Sequence, residues 1–451
     1  MRILEESPSY AHGSSSAGQE PQDADYDVPC LSDELETMIL ARFPIPKHWK
    51  MCCLSKRFLT LLKSGEIYKI RRVIGFKEPS VFMLASGEKN WCAFDGHFRS
   101  CRKLPIIPSD YNFEWGNKES FSAGTYIFVS GKEVDGGVVW RYELATNEWF
   151  KGPSMLSQRC LFASASCGTM AFVAGGIETT TREVLSSAEK YNSESHIWEQ
   201  LPRMIQKRKS CSGCYLDNKF YVLGGQNEQK KDLTCGEFYD EDTNTWNLVP
   251  AMFKDIPLST PRSPPLIAVA NNELYTLDAS SNELKVYLKK SNSWKKLGPV
   301  PVRADARLGW GVAFKSLGNE LLLIGDTSAS YSQRAVMKIY TCFPDPHVEK
   351  LKWKQIIAKG GKISTRFSSS SGKLDFRALL EHKILCSSLP LPSFISFFLS
   401  LHSSPSSSKL LSMASYGGNW KGGLVPSLEE FESRSKGKTT LRAIGLRNTP
   451  N

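Results

Sequence analysis

The spacing of hydrophobic residues changes near residue 80, and the predicted secondary structure changes with it. Between residues 28 and 75 apolar side chains recur three or four positions apart, as at Leu35 and Ile39, which is the spacing of one face of a helix. Ser32 precedes two acidic residues and is suited to cap that helix, and Pro44 and Pro46 end it. We therefore predict two or three short helices here, with an exposed apolar stripe.

Beyond Ser80 the apolar residues fall in short runs that are typical of β-strands. Each run is rich in β-branched or aromatic residues and ends in small ones. The runs are VFMLAS, TYIFVSG, MAFVAGG, KFYVLGG and ELLLIGD. Because glycine permits a tight exit and a close approach of the backbone, we expect each run to be an inner strand, where strands crowd together.

A tyrosine and a tryptophan seven residues apart recur through the same region. Successive tryptophans are separated by 49, 48 and 48 residues. The pairs are Tyr142 and Trp149, Tyr191 and Trp198, Tyr239 and Trp246, and Tyr287 and Trp294. A unit of about 48 residues cannot bury its apolar face alone, so the copies must stack on one another.

Two weaker copies flank these four. Phe94 and Cys101 keep the seven-residue spacing on one side, and Tyr340 and Trp353 form a copy with a longer insertion on the other. Residues 76–357 therefore accommodate six units. The repeat resembles the kelch repeat, in which each copy is one four-stranded blade of a β-propeller. This resemblance implies a mainly β fold with six blades, preceded by a small all-α domain.

Charge and composition add limits on the class of protein. The net charge is +11, but residues 357–451 hold 13 Lys/Arg and 5 Asp/Glu, so the basicity belongs to the tail and does not indicate nucleic-acid binding. The N-terminus lacks the apolar core of a signal peptide, and Ile384–Leu401 contains prolines that make it a poor membrane span. We expect no membrane association, and a location in the cytoplasm or nucleus. Residues 1–27 and 358–451 are predicted to be disordered, because they are Ser-rich and, respectively, acidic and basic.

The helical segment resembles an F-box. F-boxes open with a Pro/Leu pair and an acidic helix start, continue with Ile-Leu and Arg-aliphatic-Pro, and close with a basic-aromatic-Leu-Leu stretch. The matching positions are Pro29, Leu31, Asp33, Ile39-Leu40, Arg42-Phe43-Pro44, Lys56, Phe58 and Leu61-Leu62. An F-box at 28–75 followed by kelch repeats at 76–357 resembles the plant F-box/kelch-repeat family.

That resemblance implies a modular role without catalysis or a cofactor. The F-box would bind a Skp-type adaptor and through it a cullin–RING ubiquitin ligase, while the propeller would capture a protein substrate that the sequence does not identify. The implied adaptor-binding residues are Pro29, Leu31, Leu35, Ile39, Leu40, Phe43, Pro44, Leu54 and Phe58. The alternative for these residues is that about half of them form the small core of the F-box itself.

Four arginines are the candidate substrate-binding residues. Arg159, Arg208 and Arg262 each lie 16 residues before the end of a glycine-rich strand or its equivalent, and Arg307 lies near the matching place in the last repeat. In kelch substrate receptors, arginines at this place line the binding face, and guanidinium groups suit carboxylates. The alternative is that they pair with nearby Asp or Glu and brace the connections between blades.

Two other classes of function compete with the ligase receptor. A kelch scaffold would bind partners without ubiquitination. A propeller enzyme would need a Tyr/His copper cluster or converging carboxylates, and the isolated histidines disfavour the copper cluster. The lone pair Cys211 and Cys214 would point to opposite faces of a strand, so core packing is favoured over zinc.

One departure from the family pattern concerns closure of the ring. Kelch F-box proteins of this kind end with one more apolar strand soon after the last tryptophan, and AKGGKISTRFSSSSGKLDF contains no clear equivalent. Either a segment of the tail supplies that strand, or the last blade is frayed and leaves an open sheet edge.

Overall fold

The computed structural model describes residues 32–76, 78–84, 89–116, 118–256, 263–302, 312–325, 338–348 and 350–356, and the backbone of 383–389 and 395–397. These residues lie in one compact unit, Met1–Ser404. They form a helical domain followed by a six-bladed β-propeller, as the sequence predicts. Among the described helices, none has the length and apolar character to span a membrane.

The helical domain contains four short helices rather than two or three. They are α1 (Asp33–Ala41), α2 (Ile45–Met51), α3 (Lys56–Lys63) and α4 (Glu66–Val73). The Ser32 hydroxyl accepts a hydrogen bond from Leu35 N at 3.3 Å and so caps α1 as predicted. α1 ends at Ala41, and Pro44 lies at the N-cap of α2, where its missing N–H has no cost.

Each blade is an antiparallel sheet. In chain order, blade I contains β1 (Glu78–Leu84), β2 (Cys92–Asp95) and β3 (Cys101–Lys103); after helix α5 (Tyr111–Trp115), blade II contains β4 (Glu119–Ala123), β5 (Tyr126–Glu133), β6 (Gly136–Glu143) and β7 (Glu148–Lys151). Blade III contains β9 (Ala163–Cys167), β10 (Met170–Ala174), β12 (Ala188–Asn192) and β13 (Ile197–Leu201), beside the two-stranded sheet of β8 (Arg159–Cys160) and β11 (Ile177–Glu178).

The remaining three blades follow the same plan. Blade IV contains β14 (Ser212–Leu216), β15 (Lys219–Leu223), β16 (Gly236–Asp240) and β17 (Thr245–Val249). Blade V contains β18 (Leu266–Ala270), β19 (Glu273–Asp278), β20 (Glu283–Leu288) and β21 (Ser293–Pro299); blade VI contains β22 (Val312–Leu317), β23 (Glu320–Gly325), β24 (Lys338–Cys342) and β25 (Lys354–Ile356).

The predicted runs are inner strands, paired on both sides, although they are not the innermost ones. They form β5, β10, β15 and β23, each the second strand of its blade, and β1 in the middle of the five-stranded sheet of blade I. In blades II to VI the innermost strand precedes the run in sequence, and neighbouring innermost strands contact one another, as β9 does β14. The predicted close backbone approach does occur: Gly225 has φ +87°, and a Cβ there would lie 2.5 Å from Lys209 O.

A strand from the tail closes the ring. β26 (Lys383–Leu389) pairs along its whole length with β1 and contacts β4 of blade II and β22 of blade VI, so it takes in blade I the place that the innermost strand holds in the other blades. A further strand, β27 (Ile395–Phe397), pairs with the other side of β26 and lies at the inner edge of this five-stranded sheet. The alternative in which the tail supplies the closing strand therefore describes this chain. The prediction of a disordered tail over 358–451 is wrong for these two segments.

The repeated tyrosine and tryptophan lie opposite each other on the two outer strands of blades II to V. Their ring centroids are 5.1–5.6 Å apart. Each indole N–H donates to a carbonyl of the preceding connection between blades, as Trp198 does to Pro153 O at 3.0 Å and Trp246 to Pro202 O at 2.8 Å. The tryptophan therefore fixes one blade to the connection before it.

The turn between these strands is also repeated. In three blades the tyrosine hydroxyl donates to an asparagine side chain, for example Tyr239 to Asn244 at 2.8 Å, and the asparagine has a positive φ. Blade III uses His196 instead, with Tyr191 Oη 3.1 Å from its Nδ1. Asparagine and histidine tolerate this left-handed conformation better than most residues, which explains the polar turn in each repeat.

The helical domain and the propeller share a hydrophobic core. Leu40, Ile45 and Tyr68 from the helices belong to the same buried cluster as Trp91 and Trp149 from blades I and II. The Tyr68 hydroxyl also donates to Leu144 O, 3.3 Å away. The helices are therefore packed against the propeller rather than tethered to it.

Candidate functional site

The predicted adaptor-binding residues divide into exposed and buried members. Leu35, Ile39, Phe43 and Leu54 are exposed, together with Met38, whereas Leu40 is buried in the core shared with the propeller. Pro44 and Phe58 are half-buried. Pro29 and Leu31 lie outside the described residues. We call the exposed set Leu35, Met38, Ile39, Phe43 and Leu54 the apolar face.

The apolar face is built on α1 and the connections that follow it. Leu35, Met38 and Ile39 are spaced three and four positions apart, which places them on one side of the helix. Arg57 on α3 forms ion pairs with Asp33 and, at 2.9 Å, with Glu36 on α1. These solvent-exposed ion pairs link α3 to α1 beside the exposed apolar side chains. Exposed apolar clusters of this kind mark protein interaction sites.

The structure places two of the four candidate arginines in buried ion pairs. In blade III Arg159 pairs with Glu189 and donates to Gly175 O at 3.0 Å and Ser187 O at 2.7 Å. In blade IV Arg208 pairs with Glu237 and donates to Gly224 O at 2.8 Å. All four charged side chains are at most 1% exposed.

These contacts are those of the bracing alternative. Because both guanidinium groups are enclosed and hydrogen-bonded, a substrate has no access to them in this conformation. The prediction that Arg159 and Arg208 contact a substrate directly is therefore not supported by where the structure places them. Arg262 and Arg307 lie outside the described residues, so their role stays a prediction.

Glu189 and Glu237 are bracing residues that the sequence analysis did not name. Besides the arginine, each accepts hydrogen bonds from two backbone amides of the connection leading into its blade: Leu156 N and Ser157 N for Glu189, at 2.8 and 2.9 Å, and Ile205 N and Gln206 N for Glu237, at 2.6 and 3.0 Å. The signal available in the sequence is that each glutamate lies two residues before a repeat tyrosine.

The result of this bracing is an exposed aliphatic side chain at the same place in two successive connections. Leu156 and Ile205, whose amides the glutamates hold, are both exposed. They lie three residues before Arg159 and Arg208, respectively. The buried ion pairs therefore fix the position of side chains that are available for contact with another molecule.

The cysteine pair agrees with the predicted role in core packing. Cys211 and Cys214 are both buried and contribute to hydrophobic clusters, as predicted. Within the described ranges, no group of three or more His, Cys, Asp or Glu side chains is arranged to hold a metal ion.

Comparison with known proteins agrees with this architecture. The family profile described as the Kelch motif matches residues 158–205 and 207–253, which span blades III and IV. The F-box/kelch-repeat protein At3g27150 of Arabidopsis thaliana is 53% identical over 348 residues, which cover 76% of this chain and 82% of that protein. This chain belongs to the plant F-box/kelch-repeat family. A second Arabidopsis thaliana relative, F-box/kelch-repeat protein At1g26930, is 36% identical over 67% of this chain and 74% of its own length.

Proposed function

We propose that this chain is the substrate-recognition subunit of an SCF-type cullin–RING E3 ubiquitin ligase. The F-box binds a Skp-type adaptor, and the kelch propeller binds the protein to be ubiquitinated. The chain performs no bond chemistry, because its contribution is to bring the substrate close to the ubiquitin-charged enzyme. It acts in the cytoplasm, the nucleus or both.

The observation that carries the proposal is the apolar face. Three side chains of one short helix and two from the following connections are exposed, whereas Leu40, Ile45 and Tyr68 of the same domain are buried in the core shared with the propeller. An amphipathic helix with an uncovered apolar side is suited to a helical partner with a matching groove. Membership of the F-box/kelch-repeat family supports an adaptor protein as that partner.

The test is direct binding of the purified full chain to a Skp-type adaptor by isothermal titration calorimetry. The double variant Leu35→Asp/Ile39→Asp places two charges in the proposed contact and is expected to weaken binding at least 100-fold, since desolvating an unpaired charge at an interface costs several kcal/mol. The matched control is Leu248→Asp in blade IV, because Leu35, Ile39 and Leu248 are each 41% exposed.

The outcomes separate the two candidate functions. Loss of binding in the double variant, with Leu248→Asp unchanged, supports the ligase receptor. If the folded wild type does not bind the adaptor, the F-box has no adaptor role and the kelch scaffold becomes the better account. If all three proteins bind equally, the adaptor contact lies elsewhere.

We further propose that the substrate contacts the exposed side chains of the connections between blades. Leu156 and Ile205 supply apolar contacts there. Arg159 and Arg208 do not touch the substrate. They pair with Glu189 and Glu237, which hydrogen-bond to the backbone of the connections. A Leu156→Asp/Ile205→Asp variant should therefore keep adaptor affinity and lose the turnover of the ligase's substrates. Unchanged turnover would place substrate capture on another surface.

A further inference from the structure

The connection between α1 and α2 carries Phe43 of the apolar face, and buried side chains hydrogen-bond to its backbone. Arg71, on α4, is fully buried and donates from Nη1 to Ala41 O at 2.7 Å and to Phe43 O at 2.8 Å. His48 Nε2 lies 2.8 Å from the same Phe43 carbonyl. Burial and the neighbouring Arg71 lower the pKa of His48 to about 4, so the imidazole is neutral at pH 7 and its Nε2–H donates.

The acidic partner of Arg71 belongs to the propeller. Arg71 Nη2 donates to Glu78 Oε2 at 2.8 Å, and Glu78 is the first residue of β1 in blade I. The same carboxylate oxygen accepts a hydrogen bond from Ile45 N, at 3.0 Å, at the start of α2. One propeller side chain therefore joins α4, the beginning of α2 and, through Arg71, the end of α1.

This arrangement has an energetic consequence for the connection. The Arg71 side chain is 0% exposed and that of Glu78 is 15% exposed. If one partner is removed, water therefore has little access to solvate the other. Removal would leave a buried guanidinium group without its counter-charge and Ile45 N–H without its acceptor, and such losses are among the most costly in folded proteins.

We infer that Glu78 is a positioning residue for adaptor binding: through Arg71, the propeller holds Phe43 and the start of α2 in the geometry that the apolar face needs. The inference rests on the proposed adaptor role of that face. It implies that the F-box of this chain is not an autonomous module, and that the propeller and the adaptor are held in a fixed relation by the shared core.

The chain offers a matched control on the same helix. Arg72, the next residue of α4, pairs with Glu194 in the outer turn of blade III at 2.7 Å. The side chains of Arg72 and Glu194 are 38% and 60% exposed, respectively. Solvent therefore screens this second ion pair between the helices and the propeller. Glu194→Ala removes a bridge of the same type without disturbing the apolar face.

The experiment measures adaptor affinity and backbone protection on the full chain. A purified plant Skp-type adaptor is titrated into wild type, Glu78→Ala, Glu78→Gln and Glu194→Ala, and hydrogen–deuterium exchange is followed in a peptide covering 42–49. Glu78→Ala is expected to weaken binding about tenfold or more and to speed exchange in that peptide, since the Ile45 amide loses its acceptor. Glu78→Gln keeps an acceptor oxygen and should recover part of both effects, and Glu194→Ala should match wild type.

The outcomes also distinguish this inference from the proposed function. If wild type binds the adaptor and both Glu78 variants bind equally well while the propeller stays folded, the positioning role is wrong and the receptor role stands. If folded wild type does not bind, both are rejected. Should Glu78→Ala fail to fold, the Gln variant decides: affinity and exchange identical to wild type would overturn the inference.

Discussion

Blades III and IV differ from blade V in the ion pair made by the buried charged residue that lies two positions before the repeat tyrosine. Blades III and IV place Glu189 and Glu237 there, and each glutamate pairs with an arginine and holds the preceding connection. Blade V places Lys285 there, and Lys285 Nζ donates instead to Asp278 Oδ2 at 2.9 Å within its own blade. The Tyr–Trp contact is the same in all three blades.

The difference shows that the Tyr–Trp contact is the constant part of blades III to V, whereas the charged position two residues before the tyrosine is adjustable. In blades II to V the tryptophan joins its blade to the preceding connection. The buried charged residue two positions before the tyrosine needs an oppositely charged partner. That partner is an arginine of the preceding connection in blades III and IV, and an aspartate of the neighbouring strand in blade V.

The largest expected effect comes from removing the acid in blade IV. Glu237→Ala leaves Arg208 fully buried without its counter-charge and frees two loop amides, so we expect the free energy of unfolding to fall by about 3–5 kcal/mol. Lys285→Met is the comparison in blade V and should cost less, about 1–3 kcal/mol, because Asp278 keeps hydrogen bonds from Ser280. Urea unfolding of both variants measures the difference, and equal losses would contradict the comparison.

Next in size is a backbone effect at the diglycine of blade IV. Gly225→Ala puts a Cβ 2.5 Å from Lys209 O at a residue with φ +87°, so we expect about 1–3 kcal/mol of destabilisation. The equivalent residue in blade V is Ala279, so Ala279→Gly should cost less than 1 kcal/mol, mainly through the entropy of the unfolded chain. Thermal unfolding followed by circular dichroism tests the pair, and a neutral Gly225→Ala would remove the steric argument.

An effect no larger than that at Gly225 is expected for the Tyr–Trp contact, and it should be equal in blades IV and V. Trp246→Phe and Trp294→Phe each remove an indole N–H that donates to a backbone carbonyl, Pro202 O at 2.8 Å and Met252 O at 2.7 Å. Each should cost about 1–3 kcal/mol, for one hydrogen bond and an acceptor left unpaired. Similar losses of unfolding free energy for the two variants, measured by urea unfolding, would confirm that the Tyr–Trp contact is constant, and a difference of several kcal/mol would refute it.

The smallest expected effect is a loss of stability at low pH that comes from Asp278 in blade V. Burial by itself would raise the pKa of Asp278, but hydrogen bonds from Lys285, Ser280 and Ser281 outweigh it and lower that pKa to about 2. The unfolded state then binds more protons between pH 3.8 and 2, so the stabilisation is present above pH 3.8 and is lost as the pH falls toward 2. Asp278→Asn should flatten this part of the pH dependence of the urea midpoint. If its curve parallels that of the wild type, the blade V ion pair does not titrate as argued.

The six-bladed propeller and the helical domain before it could be predicted because their signals repeat or are local. The Tyr–Trp spacing of seven and the period near 48 residues recur along the chain, and the Ser32 cap and Pro44 lie beside the helices they delimit. The candidate site was predicted less completely. The spacing marked Arg159 and Arg208, but spacing along the chain does not tell whether a guanidinium group faces water or a buried glutamate 30 or 29 residues away.

The sequence by itself determined the repeat, its number and the family, because stacked units impose a periodic pattern of apolar and turn residues that survives without knowledge of contacts. Only the tertiary structure decided which charges pair, that Glu78 of the propeller joins the F-box, and that Lys383–Leu389 closes the ring. Those outcomes depend on residues far apart in the chain, and the packing of blades and helices, rather than local sequence, decides which of them meet.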